Sequence, residues 1–154
     1  MSIKKLFYSF IACIGSGTIG ALFTAQSIDN WFKFLNKPFF SPPNWVFGPV
    51  WTILYIMMGI SLYIVWTTNR HVSKLTYAFF GTQLALNTVW SAVFFGLRSI
   101  SGGLMIIIGL WLAIAATIRK FHQVSKLASW LLAPYLVWVS FAIVLNYSLY
   151  RLNK

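Results

Sequence analysis

Five runs without a charged residue dominate the chain, at residues 6–28, 45–68, 75–97, 100–118 and 127–150. Each approaches or exceeds the ~20 apolar residues that carry a helix across a bilayer. Short stretches carrying Lys and Arg separate them, as expected where spans meet lipid headgroups. The pattern predicts an all-α integral membrane protein, a single domain over residues 1–154 built as a five-transmembrane-helix bundle. The first run is longer than the ~7–15 residues of a signal-peptide core and lacks a small-x-small cleavage site, so it reads as the first span.

The polar positions inside these runs are periodic. In the third run Gln83, Asn87, Trp90 and Ser91 share one helical face. Trp138, Phe141, Ala142, Leu145 and Asn146 do so in the fifth, and Phe47, Trp51 and Tyr55 in the second. The first run carries two small-residue rows, Gly17, Ala21, Ala25 and Ser16, Gly20, Thr24, which permit close approach of another helix or of a ligand. Asn87 and Asn146 fit interhelical hydrogen bonds or a ligand site equally well. Trp51, Trp90 and Trp138 lie deeper than interfacial anchoring requires and read as walls for a flat aromatic ligand. The fourth run has almost nothing polar and is expected to face lipid or a second subunit.

The connection between the first two runs breaks the pattern. It carries Pro38, Pro42 and Pro43 between Trp31 and Trp45. Asp29 or Asn30 can cap a short helix through Asn36, which Pro38 then ends. Proline-rich, aromatic backbone beside a span needs protein or a cavity to satisfy it. This stretch, with Trp31, Pro42 and Pro43, therefore reads as a lid leading into a binding pocket.

Composition sharpens the picture mainly by exclusion. The 154 residues are 59% hydrophobic and 8% charged, with a mean hydropathy of +0.76. The net charge of +11 is dispersed between the runs, so no basic face for nucleic acid exists and membrane lipids are the expected partner. With five spans, seven Lys and Arg fall on the N-terminal side and five on the other, which places the N-terminus in the cytoplasm. Asp29 is the only acidic residue, Cys13 the only cysteine, and His71 and His122 the only histidines. Paired-carboxylate catalysis, a metal site and a Ser–His–Asp triad are thereby excluded. Asp29 is expected either to cap a helix or to pair with Arg98 or Arg151 and clamp the first loop. No internal repeat of the kind seen in transporters is present.

Three motifs occur in order: W-x-x-x-L-x-K-P-x-x-x-P-P-x-x-x-F-x-P-V-W-T-x-L-Y at 31–55, Q-L-x-L-N-x-x-W-S at 83–91, and P-Y-x-x-W-x-x-F-A-x-x-L-N at 134–146. Together they resemble the translocator protein family, also called the tryptophan-rich sensory protein or peripheral benzodiazepine receptor family. Phe32 stands where that family commonly has Tyr. The resemblance implies a five-helix bundle, often a homodimer, in a bacterial cell membrane, with a pocket capped by the first loop. It implies porphyrins such as protoporphyrin IX, haem-type tetrapyrroles, and isoquinoline or benzodiazepine drugs as ligands. Carried over by motif, the pocket comprises Ala21, Phe47, Trp51, Asn87, Trp90, Trp138, Ala142 and Leu145. No resident cofactor is expected, the porphyrin being ligand or substrate. Two alternatives accompany this receptor reading: a light- and oxygen-dependent porphyrin-degrading enzyme using Trp51 and Trp138, and a tetrapyrrole or lipid transporter. A sterol-type pattern, Leu145, Tyr147 and Arg151, closes the last run.

Overall fold

Serine hydroxyls start three of the five long helices of the computed structural model, which describes residues 2–154. Helix α1 spans Ile3–Ile28, α2 Asn44–Thr67, α3 Lys74–Ser91, α4 Ile100–Val124 and α5 Lys126–Leu152. Ser73, Ser99 and Ser125 accept the backbone N–H of Leu75, Gly102 and Ala128 at the starts of α3, α4 and α5. Each hydroxyl satisfies a donor that the helix itself leaves unpaired. All five helices are long and apolar enough to cross a membrane. The protein is a multi-pass integral membrane protein, helical throughout its spans.

The helices close a ring. Helix α1 packs on α2 and α3, α4 on α3 and α5, and α2 on α5. Met58 and Val65 of α2, Leu110 and Ile114 of α4, and Leu132 and Val139 of α5 fill its centre. Phe80 and Phe121 stack face to face with ring centres 5.5 Å apart. Apolar side chains gain little from leaving lipid, so close fit decides helix association here. Glycine provides that fit at Gly59, against the Phe10 ring. At Gly17, a Cβ would overlap the ring of Tyr55. Ser16 adds a polar tie, its hydroxyl 2.7 Å from that of Thr88 on α3.

Several local expectations change. Helix α4 does not simply face lipid: Gly103, Ile107, Leu110, Ile114, Thr117 and Phe121 are buried against α3 and α5. Trp111 donates to Ser140 of α5 at 2.8 Å. Met105, Ile108 and Leu112 keep an outward stripe. The helix also continues past residue 118 to Val124, so Arg119, Lys120 and His122 lie on its last turns and only Ser125 links it to α5. The short helix expected up to Asn36 is a single 3-10 turn, Phe32–Phe34. Asp29 ends α1 as its C-terminal cap rather than starting that turn.

The first connection is held by neither arginine. Asn36 donates its backbone N–H to Asn153 Oδ1 at 2.9 Å, and Asn153 Nδ2 donates to the Asn36 carbonyl at 2.9 Å. This reciprocal pair ties the loop to the end of α5. Phe32 supplies the apolar half of the attachment. It is buried among Phe47, Phe94 and Phe95, with ring centres 5.6–6.4 Å away. A tyrosine hydroxyl is dispensable for this packing.

Candidate functional site

A change of helical pitch brings large side chains to the loop end of the bundle: α3 continues as one π-helical stretch, Ala92–Gly96. Widening the turn lets the adjacent Phe94 and Phe95 both point inward, where they are 2% and 8% exposed. Arg98, at φ 53°, then turns the chain in left-handed backbone geometry and directs Ser99 into α4. Proline also interrupts two helices: Pro49 in α2 and Pro134 in α5 remove the N–H that would have bonded the carbonyls of Trp45 and Trp130.

Between these elements lies a cavity of about 560 Å³. Its walls are apolar and aromatic, and its lining residues carry no ionisable acid or base except the phenol of Tyr55. All eight residues singled out by motif line it: Ala21 from α1, Phe47 and Trp51 from α2, Asn87 and Trp90 from α3, and Trp138, Ala142 and Leu145 from α5. Trp51 stacks on Tyr55 at 5.7 Å and leans toward Trp90 at 6.5 Å, and Trp90 stacks on Phe94 at 5.3 Å. Phe47 meets Trp138 edge to face at 6.0 Å. The small-residue rows of α1 divide between helix contact and cavity wall. Gly17 and Gly20 admit Tyr55 and Ser91 to close contact, while Ala21, Thr24 and Ala25 form cavity wall.

The lid residues sit differently. Trp31 packs edge to face on Phe94 at 5.5 Å, behind the wall. Pro42 is half-buried in the loop, and Pro43 is the exposed N-terminal cap of α2. None of the three lines the cavity; the loop residue that does is Phe32. The sterol-type pattern is divided in the same way. Leu145 faces inward, whereas Tyr147 and Arg151 are exposed on the outer side of α5, with a guanidinium nitrogen 3.4 Å from the phenol oxygen.

Polar groups mark two levels of the cavity. At its floor Tyr55 donates to Asn87 Oδ1 at 2.8 Å, and Asn87 Nδ2 donates to the Tyr135 hydroxyl at 2.6 Å. This chain joins α2, α3 and α5 and engages both ends of the Asn87 carboxamide. Tyr135 stands in the third motif but not among the pocket residues carried over from it; it lies three residues before Trp138 on the inward face, and its full burial is the property that sequence does not display. Eleven residues further along α5, roughly 16 Å at helical rise, stands Asn146. It is 2% exposed, and among the described residues no group bonds to its side-chain oxygen or nitrogen. The Trp90 indole N–H is likewise unbonded. Of the two carboxamides, only Asn87 behaves as an interhelical tie.

The outer wall is incomplete. Ile14, Thr18, Ala21 and Ala25 of α1 and Gly48, Thr52 and Ile56 of α2 line the cavity and are exposed. At this height α1 and α2 leave a slot toward the surrounding lipid, whereas lower down Gly59 and Phe10 close the gap.

The chain that builds this cavity has close relatives in sequence. The chain is 48% identical over 153 residues to the tryptophan-rich protein TspO of Archaeoglobus fulgidus, covering 99% of each. It is 40% identical to the tryptophan-rich sensory protein of Cereibacter sphaeroides, over 96% of this chain and 91% of that one. It is also 40% identical to the human translocator protein, over 88% of this chain and 82% of that one. The sequence profile of the TspO/MBR family matches residues 9–151. Five spans, an aromatic cavity and near full-length similarity have one reading: the chain belongs to the TspO/MBR family.

Proposed function

We propose that the protein is a membrane receptor or sensor that holds a flat tetrapyrrole, protoporphyrin IX or a haem-type ring, in this cavity. Drug-like isoquinolines and benzodiazepines are smaller ligands of the same walls. The carrying observation is the set of three indole faces, Trp51, Trp90 and Trp138, on three helices around one apolar space. Such faces stack on a planar π system with little loss of side-chain freedom. The relatives' names, sensory protein and translocator protein, agree with a receptor role.

The uncharged lining constrains how a porphyrin sits. Ionised propionates inside it would be desolvated without a partner, at a cost of several kcal/mol. They belong at the loop end, where Lys37 Nζ lies 4.8 Å from the centre of the Phe32 ring. Ring inward and carboxylates toward Lys37 is the orientation that satisfies both. The test is a titration of protoporphyrin IX followed by its Soret band. The Trp51→Ala/Trp138→Ala double variant loses at least about tenfold in affinity, and unchanged affinity overturns the reading. Lys37→Gln weakens binding of the free acid in a salt-dependent way and leaves that of the dimethyl ester alone.

A catalytic reading is favoured by one observation. Trp51 stacks on Tyr55, and Tyr55 connects through Asn87 to Tyr135, which sets oxidisable side chains in a row against the cavity. A defined product from illuminated porphyrin in air that disappears in Trp51→Phe and Trp138→Phe carries this reading; nonspecific bleaching rules it out. The homodimer implied by the resemblance is testable by the mass of the protein in nanodiscs.

A further inference from the structure

A second recess, of about 420 Å³, opens at the loop end where α4 begins and α5 finishes, and it shares no lining residue with the aromatic cavity. Two of its polar side chains are committed to the fold: Ser99 caps α4, and Asn153 is tied to Asn36. Three others are offered outward. Arg98 comes from the left-handed turn before α4 and Lys154 from the segment after α5; both are exposed, and no acidic side chain lines the recess. Lys154 Nζ lies 5.7 Å from the centre of the Tyr150 ring. Ser101 adds an exposed hydroxyl. It is also the first member of the exposed stripe of α4. Met105, Ile108 and Leu112 follow it at i+4, i+7 and i+11, and they are 76%, 46% and 59% exposed. At helical rise the stripe covers about 16 Å, about half of the ~30 Å hydrocarbon core of a bilayer. A cationic recess thus stands over an apolar track one leaflet deep, on one face of one helix.

We propose that this recess and stripe form a site for an anionic phospholipid. The phosphate sits between Arg98 and Lys154, and one acyl chain lies along Met105, Ile108 and Leu112. The guanidinium fork donates to two phosphate oxygens, the ammonium supplies a second charge, and the Ser101 hydroxyl is a third donor. Basic recesses between spans at headgroup level suit such lipids. Two cations without an acidic neighbour also discriminate among headgroups. A glycerol headgroup leaves the phosphate its net negative charge, whereas choline brings its own cation up against Arg98 and Lys154. A sterol, with a single hydroxyl, leaves both cations unmatched. Inorganic phosphate meets the same cations from water, but the lipid's chain holds its phosphate beside them and raises its local concentration.

The test is native mass spectrometry of the full chain in detergent micelles, titrated with dioleoylphosphatidylglycerol or dioleoylphosphatidylcholine, whose acyl chains are identical. Wild type binds the glycerol lipid about tenfold tighter than the choline lipid. Arg98→Gln/Lys154→Gln lowers affinity for the glycerol lipid to that for the choline lipid. Lys154→Gln alone, clear of the turn at Arg98, loses part of the preference. Lys33→Gln/Arg151→Gln removes the same charge from the same end but outside the recess, and stays within about twofold of wild type. Melting curves without lipid establish that each variant is folded. Inorganic phosphate at the lipid's concentration does not displace the lipid. Headgroup preference persisting in Arg98→Gln/Lys154→Gln overturns the proposal. An equal loss in the two double variants also overturns it, since diffuse charge then accounts for the attraction. Displacement by equimolar phosphate overturns the lipid assignment in favour of a free anion. In a Cys13→Ala background, oxidative cross-linking of Met105→Cys into a covalent dimer places a second copy on the stripe and overturns the proposal too.

Discussion

Asn87 and Asn146 have the same side chain on inward faces of α3 and α5, yet only Asn87 is hydrogen-bonded. Asn87 is an element of the fold: Asn87→Leu strands the hydroxyls of Tyr55 and Tyr135 and is expected to cost about 1–3 kcal/mol. Tyr135→Phe leaves a single amide hydrogen without a partner and costs less. Thermal unfolding in detergent ranks the two, and equal stability of Asn87→Leu and wild type contradicts the network. Periodicity placed both asparagines on inward faces. It could not distinguish them, because the distinction depends on which hydroxyls arrive from other helices. Tyr55 reaches Asn87 only because Gly17 has no side chain.

At the scale of elements, that glycine makes a sharp prediction. Gly17→Ala forces the Tyr55 ring away from α1 and is expected to destabilise by about 1–3 kcal/mol. Gly15→Ala, where a Cβ meets nothing within 4 Å, stays within about 1 kcal/mol of wild type. A pair of melting curves checks this, and equal effects at both sites would argue against the α1–α2 contact. The first connection predicts a kinetic effect instead. Asn153→Ala removes both bonds to Asn36 while the Phe32 cluster remains, so amide exchange over residues 31–43 accelerates and porphyrin dissociates faster. Unchanged exchange contradicts the tie. The first connection was legible as a proline-rich stretch between two spans, but its attachment was not. A contact between residues 117 apart in sequence has no local signal, and the single carboxylate, Asp29, drew attention to an ion pair instead. The π-helical stretch was equally hidden: A-V-F-F-G reads as the apolar end of any span, and only the wider turn brings both phenylalanines inward.

For the molecule as a whole, the number of crossings and their order were plain from uncharged runs and basic connections. Their closure into one ring, in the order α1, α2, α5, α4, α3, was not, because α4 has an apolar sequence on every side and betrays no inward face. Lateral ties agree with alternating ends: Lys5 Nζ reaches the Trp66 carbonyl at 2.9 Å, and Arg70 reaches the carbonyls of Gln123 and Val124 at 3.4 Å. In a Cys13→Ala background, Lys74→Cys is therefore labelled by an impermeant maleimide from the cytoplasmic side, and Lys37→Cys and Lys154→Cys from the other. Labelling of all three from one side contradicts the topology. The proposed ligand site is the cavity enclosed by α1, α2, α3 and α5. Ala142, small and on its wall, provides the most direct measurement: titration of protoporphyrin IX into Ala142→Phe in nanodiscs, read at the Soret band. An affinity at least about tenfold below wild type at an unchanged melting temperature is expected, whereas wild-type affinity in the filled cavity puts the ligand elsewhere.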